Sequence, residues 1–489
     1  MTINISKSSY IKGLQCHKAL WLKFNKPELS EFSTETQKNF DTGHSVGDYA
    51  KDLFPNGTEI KFNPKNFTEM AETTENLIKT KKTIYEATFM KDNLFAMADI
   101  LHKNKDGWNM YEVKASTSVK DYHIHDASFQ KYLIEKSGLK LNRIYIIHIN
   151  NQYERKGKIN IKKLFTIKNI TEKIKPVKEI EQNIKKMRNI LKLKTEPKID
   201  IGTYCNSPYE CDFSSYCWKH IPEKSVFKIY KLKSKEKFKN YYNNIIKLTD
   251  INENIILNKH QQIQIESMIS NKPYIDKKII KESLLKKLKY PISYLDFETF
   301  MEAIPGFDNQ RPYQQIPFQY SLHVEEKNGK IIHKEFLANE KTDPRLPFAE
   351  QIIKDLPGKG SIVTYNAGFE KGRINELANL FPNLQEELLE INSRIIDLLE
   401  PFKKFGYYHP GFNGSLSLKS VLPTLFPTNR ELDYSAIAIH NGGEAMEIYP
   451  KLKFITDNNK IIKIRNDLLE YCKIDTLAMV KLVEFLKKL

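Results

Sequence analysis

Two hydrophobic periods alternate along the chain and divide it into parts. Over residues 36–54 the apolar positions recur at helical spacing and stop before Pro55, Asn56 and Gly57, so an amphipathic helix closed by a turn is predicted. From Thr83 to Phe89 and from Leu94 to Leu101 the spacing drops to two, the period of a half-buried strand. Residues 103–107 supply a turn, and Trp108 to Lys114 reads as the returning strand of a hairpin. A helix follows over Ile124–Lys136, closed by Gly138, and then a strand over Arg143–Ile149. The stretch 153–198 is dense in lysine and helical in its second half; it fits a solvated helix face or a phosphate-contacting one. Residues 220–290 are polar and mostly helix-like. After Pro291 strand runs return at 292–300, 318–324, 331–336 and 361–365, and helices then dominate up to a closing helix at 466–488. Asp467 and Glu470 are a start signal for that helix. The order predicts an α/β protein in three parts: a domain over 1–220, a helical connector over 221–289 and a second domain over 290–489.

Charge adds a partner class to this outline. Lys and Arg number 77 against 60 Asp and Glu, a net charge of +17. Neutralising phosphates releases condensed counterions, so such a chain is drawn to polyanions. The same Lys, Asn and Ile bias also arises in AT-rich genomes, so charge alone leaves the partner open. No apolar run is long enough to span a membrane, and Met1 to Lys7 has no apolar leader segment, which predicts a cytoplasmic protein.

The chemistry concentrates in three places. Glu112 and Lys114 lie at i and i+2 on one strand face, and the hairpin brings Asp99 beside them. Converging carboxylates bind Mg²⁺ or Mn²⁺, and a neighbouring lysine can activate water and stabilise charge on a phosphate. By spacing alone, a surface hairpin with an ordinary salt bridge fits as well. Cys205, Cys211 and Cys217 fall within thirteen residues and, with Cys16, supply four thiolates for an iron–sulfur cluster or zinc. The third place is Asp296 and Glu298, again at i and i+2, with Tyr471 and Asp475 at i and i+4 on the closing helix. Asp296, Glu298 and Asp475 could hold two metals, with Tyr471 positioning the nucleophile. Cys472 between them reads as packed rather than ligating.

Asp99 with Glu112, Val113 and Lys114 resembles the core of the PD-(D/E)XK nucleases, specifically the RecB-type branch. That resemblance implies His44, after Gly43 on an early helix, as a metal ligand, and Gln130, followed by Lys131 and Tyr132, as a catalytic residue. Glu86 is a further candidate that a structural role explains equally. One early and three late cysteines are similar to the iron–sulfur RecB-type nucleases, including the CRISPR-associated adaptation nucleases. The resemblance implies a [4Fe–4S] cluster that staples the domain ends, with Zn²⁺ or free thiols as alternatives. Asp296 and Glu298, then Tyr365 to Glu370, then Tyr471 and Asp475 resemble a DEDD-type 3′–5′ exonuclease on the RNase H-like fold. Asp397 and Ser417 to Lys419 also fall at recurrent positions of that family. Its second motif usually ends in Asp; here Glu370 takes the metal-ligand place, one methylene longer.

Together these similarities cover roughly 1–220 and 290–489, and they resemble a bacterial family fusing an iron–sulfur RecB-type nuclease to an RNase H-like domain of unknown function. Gly442 to Met446 belongs to the same resemblance. The expectation is a restriction-endonuclease-like N-terminal domain and an RNase H-like C-terminal domain. Its activity would be Mg²⁺- or Mn²⁺-dependent hydrolysis of DNA, in preference to RNA, in repair, mobile-element processing or defence. Two other readings stay open: one live site with the other domain only holding the strand, and a non-catalytic nucleic-acid-binding protein.

Overall fold

The computed structural model describes residues 4–31, 34–252, 255–434, 437–439 and 441–489, with the backbone alone at 34–41. The protein is α/β with mixed sheets, in two compact units: Met1–His220 with Glu302–Gln314, and Ile221–Met301 with Gln315–Leu489.

In the first unit a seven-stranded sheet contains β1 (Ile5–Ser6), β2 (Thr58–Glu59), β3 (Thr83–Lys91), β4 (Leu94–Asn104), β5 (Gly107–Lys114), β6 (Leu141–Ile149) and β7 (Phe165–Asn169). Strands β2 to β7 neighbour one another in sequence order, while β1 pairs in parallel with β4. The β3–β4–β5 meander is antiparallel. Its helices include α1 (Lys7–Gln15), α2 (His17–Asn25), α3 (Thr34–Lys51), α4 (Phe67–Thr80) and α5 (Asp121–Lys136). β6 lies parallel to β5, which demands a crossover, and α5 supplies it. Alternation along β5 divides the core. Trp108 and Met110 pack with Tyr10 of α1 and with Ile124, Phe129 and Leu133 of α5. Tyr111 packs on the other face with Val46 and Ala50 of α3. Glu112 and Lys114 continue the α1–α5 face to the strand's end.

Residues Glu302–Gln314 belong to this first unit, which their sequence gives no sign of. Ala303 is buried beside Tyr111, Tyr313 donates to the Ala115 carbonyl, and Arg155 Nη1 donates to the Pro305 carbonyl at 2.9 Å.

The second unit holds β8 (Tyr274–Ile275), β9 (Ile292–Phe300), β10 (Ile316–Glu325), β11 (Ile331–Leu337), β12 (Ser361–Thr364), β13 (Ile395–Asp397) and β14 (Tyr407–Tyr408). Five of them form a mixed sheet in the order β11-β10-β9-β12-β13, so β9 is central; β14 and β8 make a separate pair. Along β9, Leu295 and Phe297 enter a core with Phe348 and Ile352. Ile292 and Tyr294 face a second core with Ala478, Met479 and Leu482 of the closing helix. Asp296 and Glu298 share the parity of Tyr294, which turns them toward that helix.

The closing helix runs Asn458–Lys488, starting earlier than the expected 466. Its cap is Asp457, whose carboxylate accepts from the amides of Asn459 and Lys460; Asp467 and Glu470 lie within the helix, not at its start. Residues 221–289, set apart in the sequence as a connector, are part of this unit. Val226, Ile229, Leu248 and Ile263 share the core of Phe402 and Tyr408.

Gly360 fixes where β12 enters beside β9. Its φ is +89°, and a Cβ there would lie 2.0 Å from the Pro291 carbonyl oxygen. Gly360→Ala should therefore cost more than about 2 kcal/mol in urea denaturation. Gly358→Ala, with nothing within 4 Å of the added carbon, should be nearly neutral. Equal effects of the two would refute the close-approach argument.

Candidate active sites in the two units

In the first unit the side chains of β4, β5 and α5 meet as the hairpin predicts. Lys114 Nζ donates to Glu112 Oε1 at 2.6 Å and to Asp126 Oδ2 at 2.5 Å. Gln130 Nε2 donates to Glu112 Oε2 at 2.7 Å and to Asp126 Oδ1 at 3.3 Å. Asp99 Oδ2 accepts the Val113 amide at 2.7 Å, which ties the two strands at the acids. Asp126 and Gln130, one turn apart on α5, present one face to β5. Gln130 thus ties Glu112 to Asp126 through its side-chain amide.

Two residues of this set were not foreseen. Asp126 is one; its signal was the i, i+4 spacing to Gln130. Lys7 is the other, 2.8 Å from Glu112 Oε1 and 3.8 Å from Asp99 Oδ1. Its position comes from the parallel pairing of β1 with β4, a long-range contact with no local signature.

Charges in this cluster separate sharply. The Glu112 side chain is 1% exposed. Burial alone would raise its carboxyl, but the Lys114 and Lys7 ammoniums hold it well below the usual carboxylate range. Asp99 has the opposite shift, pushed up to about 7 by burial and by the Glu112 charge. Glu86 joins the group from β3 with φ +55°, a conformation that costs a non-glycine residue about 1 kcal/mol or more. Burial raises its carboxyl as well.

His44 is exposed on α3, whose buried contacts are made by Val46 and Ala50.

The four cysteines Cys16, Cys205, Cys211 and Cys217 line one cavity with Ala19, Ile199, Ile201 and Phe213. Cys16 sits at the junction of α1 and α2, and Cys217 ends the short helix Ser214–Cys217. Gln15 Nε2 binds this end of the unit by donating to the carbonyls of Tyr204 (3.0 Å) and Tyr209 (2.8 Å). Among the described residues no three thiols lie within 4.8 Å of one another. Four thiolates on one zinc ion stand about 3.8 Å apart, given Zn–S bonds near 2.3 Å. Burial pushes the Cys211 and Cys217 thiols up to about 11.

In the second unit Asp296, Glu298 and Asp475 each place an oxygen within 4.8 Å of the others. A buried polar seam seats the closing helix over β10 and β9. Gln319 Nε2 donates to the Leu468 carbonyl at 2.6 Å, and the hydroxyls of Ser321 and Thr476 are 2.7 Å apart. Asp475 is therefore held above the two strand acids, and Tyr471 lies in hydrogen-bonding reach of it. Cys472 Sγ faces Asp296 at 3.7–3.8 Å and is fully buried, a packed thiol.

Tyr434 was missed, because its stretch of sequence has no pattern to flag it. Its hydroxyl donates to Asp475 Oδ1 at 2.5 Å. Lys419 Nζ stands 5.7 Å over the Tyr471 ring and draws on the Asp475, Glu444 and Glu298 charges. Gly442, which had no assigned role, comes against Glu298: a Cβ there would lie 3.4 Å from Oε2.

Glu370 stays apart from the triad. It is buried in the first turn of the helix Gly368–Leu380, with Oε2 lacking a hydrogen-bond partner among the described residues. Its charge reaches Asp296 and Glu298 but its oxygens are not within the 4.8 Å group. Asp397 serves the backbone, accepting the amides of Asn366 and Leu399 at 2.9 Å, and pairs with Lys403.

Three acids this close repel as anions. Burial and Asp475 push Glu298 up to about 8, burial pushes Asp475 up to about 6, and Asp296 is raised well above its usual value. A cation must displace those protons to bind. In a Glu112→Gln background, Mn²⁺ affinity should rise about tenfold or more from pH 6 to pH 8, with proton release measurable by calorimetry in two buffers. A pH-independent affinity would contradict the arrangement.

A family model described as Domain of unknown function (DUF2779) matches residues 293–417, a span that holds Asp296, Glu298 and Glu370 but not Tyr471 or Asp475. The uncharacterized protein MG366 homolog of Mycoplasma pneumoniae is 27% identical over 223 residues, 42% of this chain and 33% of that protein. The uncharacterized protein UU173 of Ureaplasma parvum is 29% identical over 228 residues, 42% of this chain and 32% of that protein. The chain thus matches about a third of the length of these curated relatives. A solved structure titled "Crystal structure of SSO0001" aligns with a TM-score of 0.25 and 12% identity, over 44% of this chain and 86% of that one.

Proposed function

We propose that the protein is a metal-dependent nuclease with one hydrolytic site in each unit, acting on DNA in the cytoplasm. The observation that carries this reading is the meeting of Asp296, Glu298 and Asp475 within 4.8 Å, under a helix that also delivers Tyr471. Three buried acids at this distance suit a divalent cation such as Mg²⁺ or Mn²⁺, which prefers oxygen ligands. Such an ion lowers the pKa of water and neutralises charge on a phosphate. Tyr471 and Tyr434, both directed at Asp475, orient that carboxylate and the attacking water. In the first unit Lys114 is placed to stabilise charge on the phosphate, while Asp99 and Glu112 hold the ion.

No helix among the described residues is long and apolar enough to cross a membrane. The net charge of +17 supports a polyanionic substrate. The similarity to RecB-type and DEDD-type nucleases stands beside these physical arguments.

For the cysteines, we read the shared cavity, with no three thiols within 4.8 Å among the described residues, as support for an iron–sulfur cluster rather than a single zinc ion. Such a cluster would join α1 to residues 205–217 and hold the ends of the first unit together. Anaerobically purified protein should be brown and contain iron, and Cys205→Ser should lose both. Stoichiometric zinc without iron would refute the cluster.

The test of the function is Mn²⁺-dependent cleavage of 5′- and 3′-labelled single-stranded DNA and RNA. A second reading has one live site, in the second unit, with the first unit holding the strand. It is favoured by the acid triad there being the one close ligand group among the described residues. Retention of all cleavage by Lys114→Ala would select it.

A further inference from the structure

We propose that Lys7 is a built-in cation of the first unit's site, standing between Asp99 and Glu112 and limiting that site to one divalent ion. The inference rests on reading Asp99 and Glu112 as metal ligands.

Lys7 Nζ lies 2.8 Å from Glu112 Oε1 and 3.8 Å from Asp99 Oδ1, so the ammonium bridges the two carboxylates. Glu112 Oε1 also accepts from Lys114, and Oε2 accepts from Gln130. Glu112 is thus fully engaged while Lys7 remains.

The position is built rather than incidental. Ile5 and Ser6 pair with Leu94 and Phe95 on β4, the strand that carries Asp99. Ser6 Oγ caps α1 by accepting the Ser9 amide at 3.2 Å, which makes Lys7 the first helical residue. A lysine there opposes the positive end of the helix dipole and is disfavoured unless acids face it. Downstream, Tyr10 stacks on Phe129 of α5 at 4.7 Å, and α1 ends at Cys16. Both ends of α1 are therefore anchored in the unit.

Charge balance gives the stoichiometry. Glu86, Asp99, Glu112 and Asp126 face Lys7 and Lys114. With the carboxyls ionised, as binding a cation requires, four carboxylates against two ammoniums leave two negative charges, the charge of one divalent ion. Without Lys7 the surplus grows by one, and the ammonium no longer competes for the oxygens.

The test is Mn²⁺ binding followed by electron paramagnetic resonance, in full-length protein carrying Asp296→Ala to disable the other triad. Glu112→Gln in that background defines the signal from the first site. With Lys7 present, one Glu112-dependent ion is expected. Lys7→Met should bind Mn²⁺ at least about fivefold more tightly, a lower bound set by two unit charges about 4 Å apart at the dielectric constant of water, which the double charge of the ion exceeds. Lys7→Arg, which keeps the charge, should bind as the parent does. Unchanged or weaker binding by Lys7→Met, or two ions with Lys7 in place, would overturn the proposal. Absence of any Glu112-dependent ion in every variant would overturn the metal-site reading together with it.

Discussion

Asp296→Ala is expected to lower 3′-end release of nucleotides from single-stranded DNA by about 10³-fold, on the order of 4 kcal/mol in activation free energy. Asp296 is on the central strand of its sheet, and its oxygen is one of three within 4.8 Å. Without it, one strand acid, Glu298, and one helix acid, Asp475, remain, two ligands in place of three. The fold should survive. Asp296 is raised well above its usual value by burial and by its acidic neighbours, so removing it relieves repulsion in the metal-free protein. A thermal midpoint equal to or above the parent, with exonuclease activity gone, is the expected pair of results. An unchanged rate would remove the triad from the mechanism.

Lys114→Ala should remove the first unit's cleavage by about 10²–10³-fold, the scale of losing one placed charge donor from a developing phosphate charge. The substitution deletes the only described partner pairing Glu112 with Asp126 through one ammonium. It should also cost about 1–3 kcal/mol in stability, since Asp126 is buried and would be left facing Glu112 without that counter-charge. Cleavage products that persist in Asp296→Ala but vanish when Lys114→Ala is added would assign them to this site. Persistence of all products in Lys114→Ala alone would leave only the second unit active.

How much of this was legible in the chain follows from the range of the contacts. The β4–β5 hairpin is local, so Asp99, Glu112 and Lys114 could be placed together from alternation and one turn. Asp296 and Glu298 were equally readable as neighbours on β9, and Tyr471 and Asp475 as neighbours on a helix. That the two pairs meet depends on the buried Gln319–Leu468 and Ser321–Thr476 contacts, which no periodicity reports. Lys7 and Asp126 stayed hidden because a lone lysine and a lone helical aspartate read as surface charge until strand pairing and crossover place them.

The misses have physical causes as well. The helix signal at Asp467 and Glu470 was outweighed by the stronger cap at Asp457, which satisfies two backbone amides. Residues 221–289 looked like a connector because they are polar overall. Their few apolar side chains are nevertheless enough to join a core, as Val226 and Leu248 show. Short strands such as β1 and β13 have too few residues for a period and are defined by their neighbours.

The central claim is that the two units carry separate hydrolytic sites. It is tested most directly by the double variant Lys114→Ala/Asp296→Ala, assayed with Mn²⁺ on single-stranded DNA labelled at either end, beside each single variant and the parent. The account predicts that each single variant keeps a distinct part of the parent's products and that the double variant releases none. Full cleavage by the double variant, or no cleavage by the parent, would contradict it.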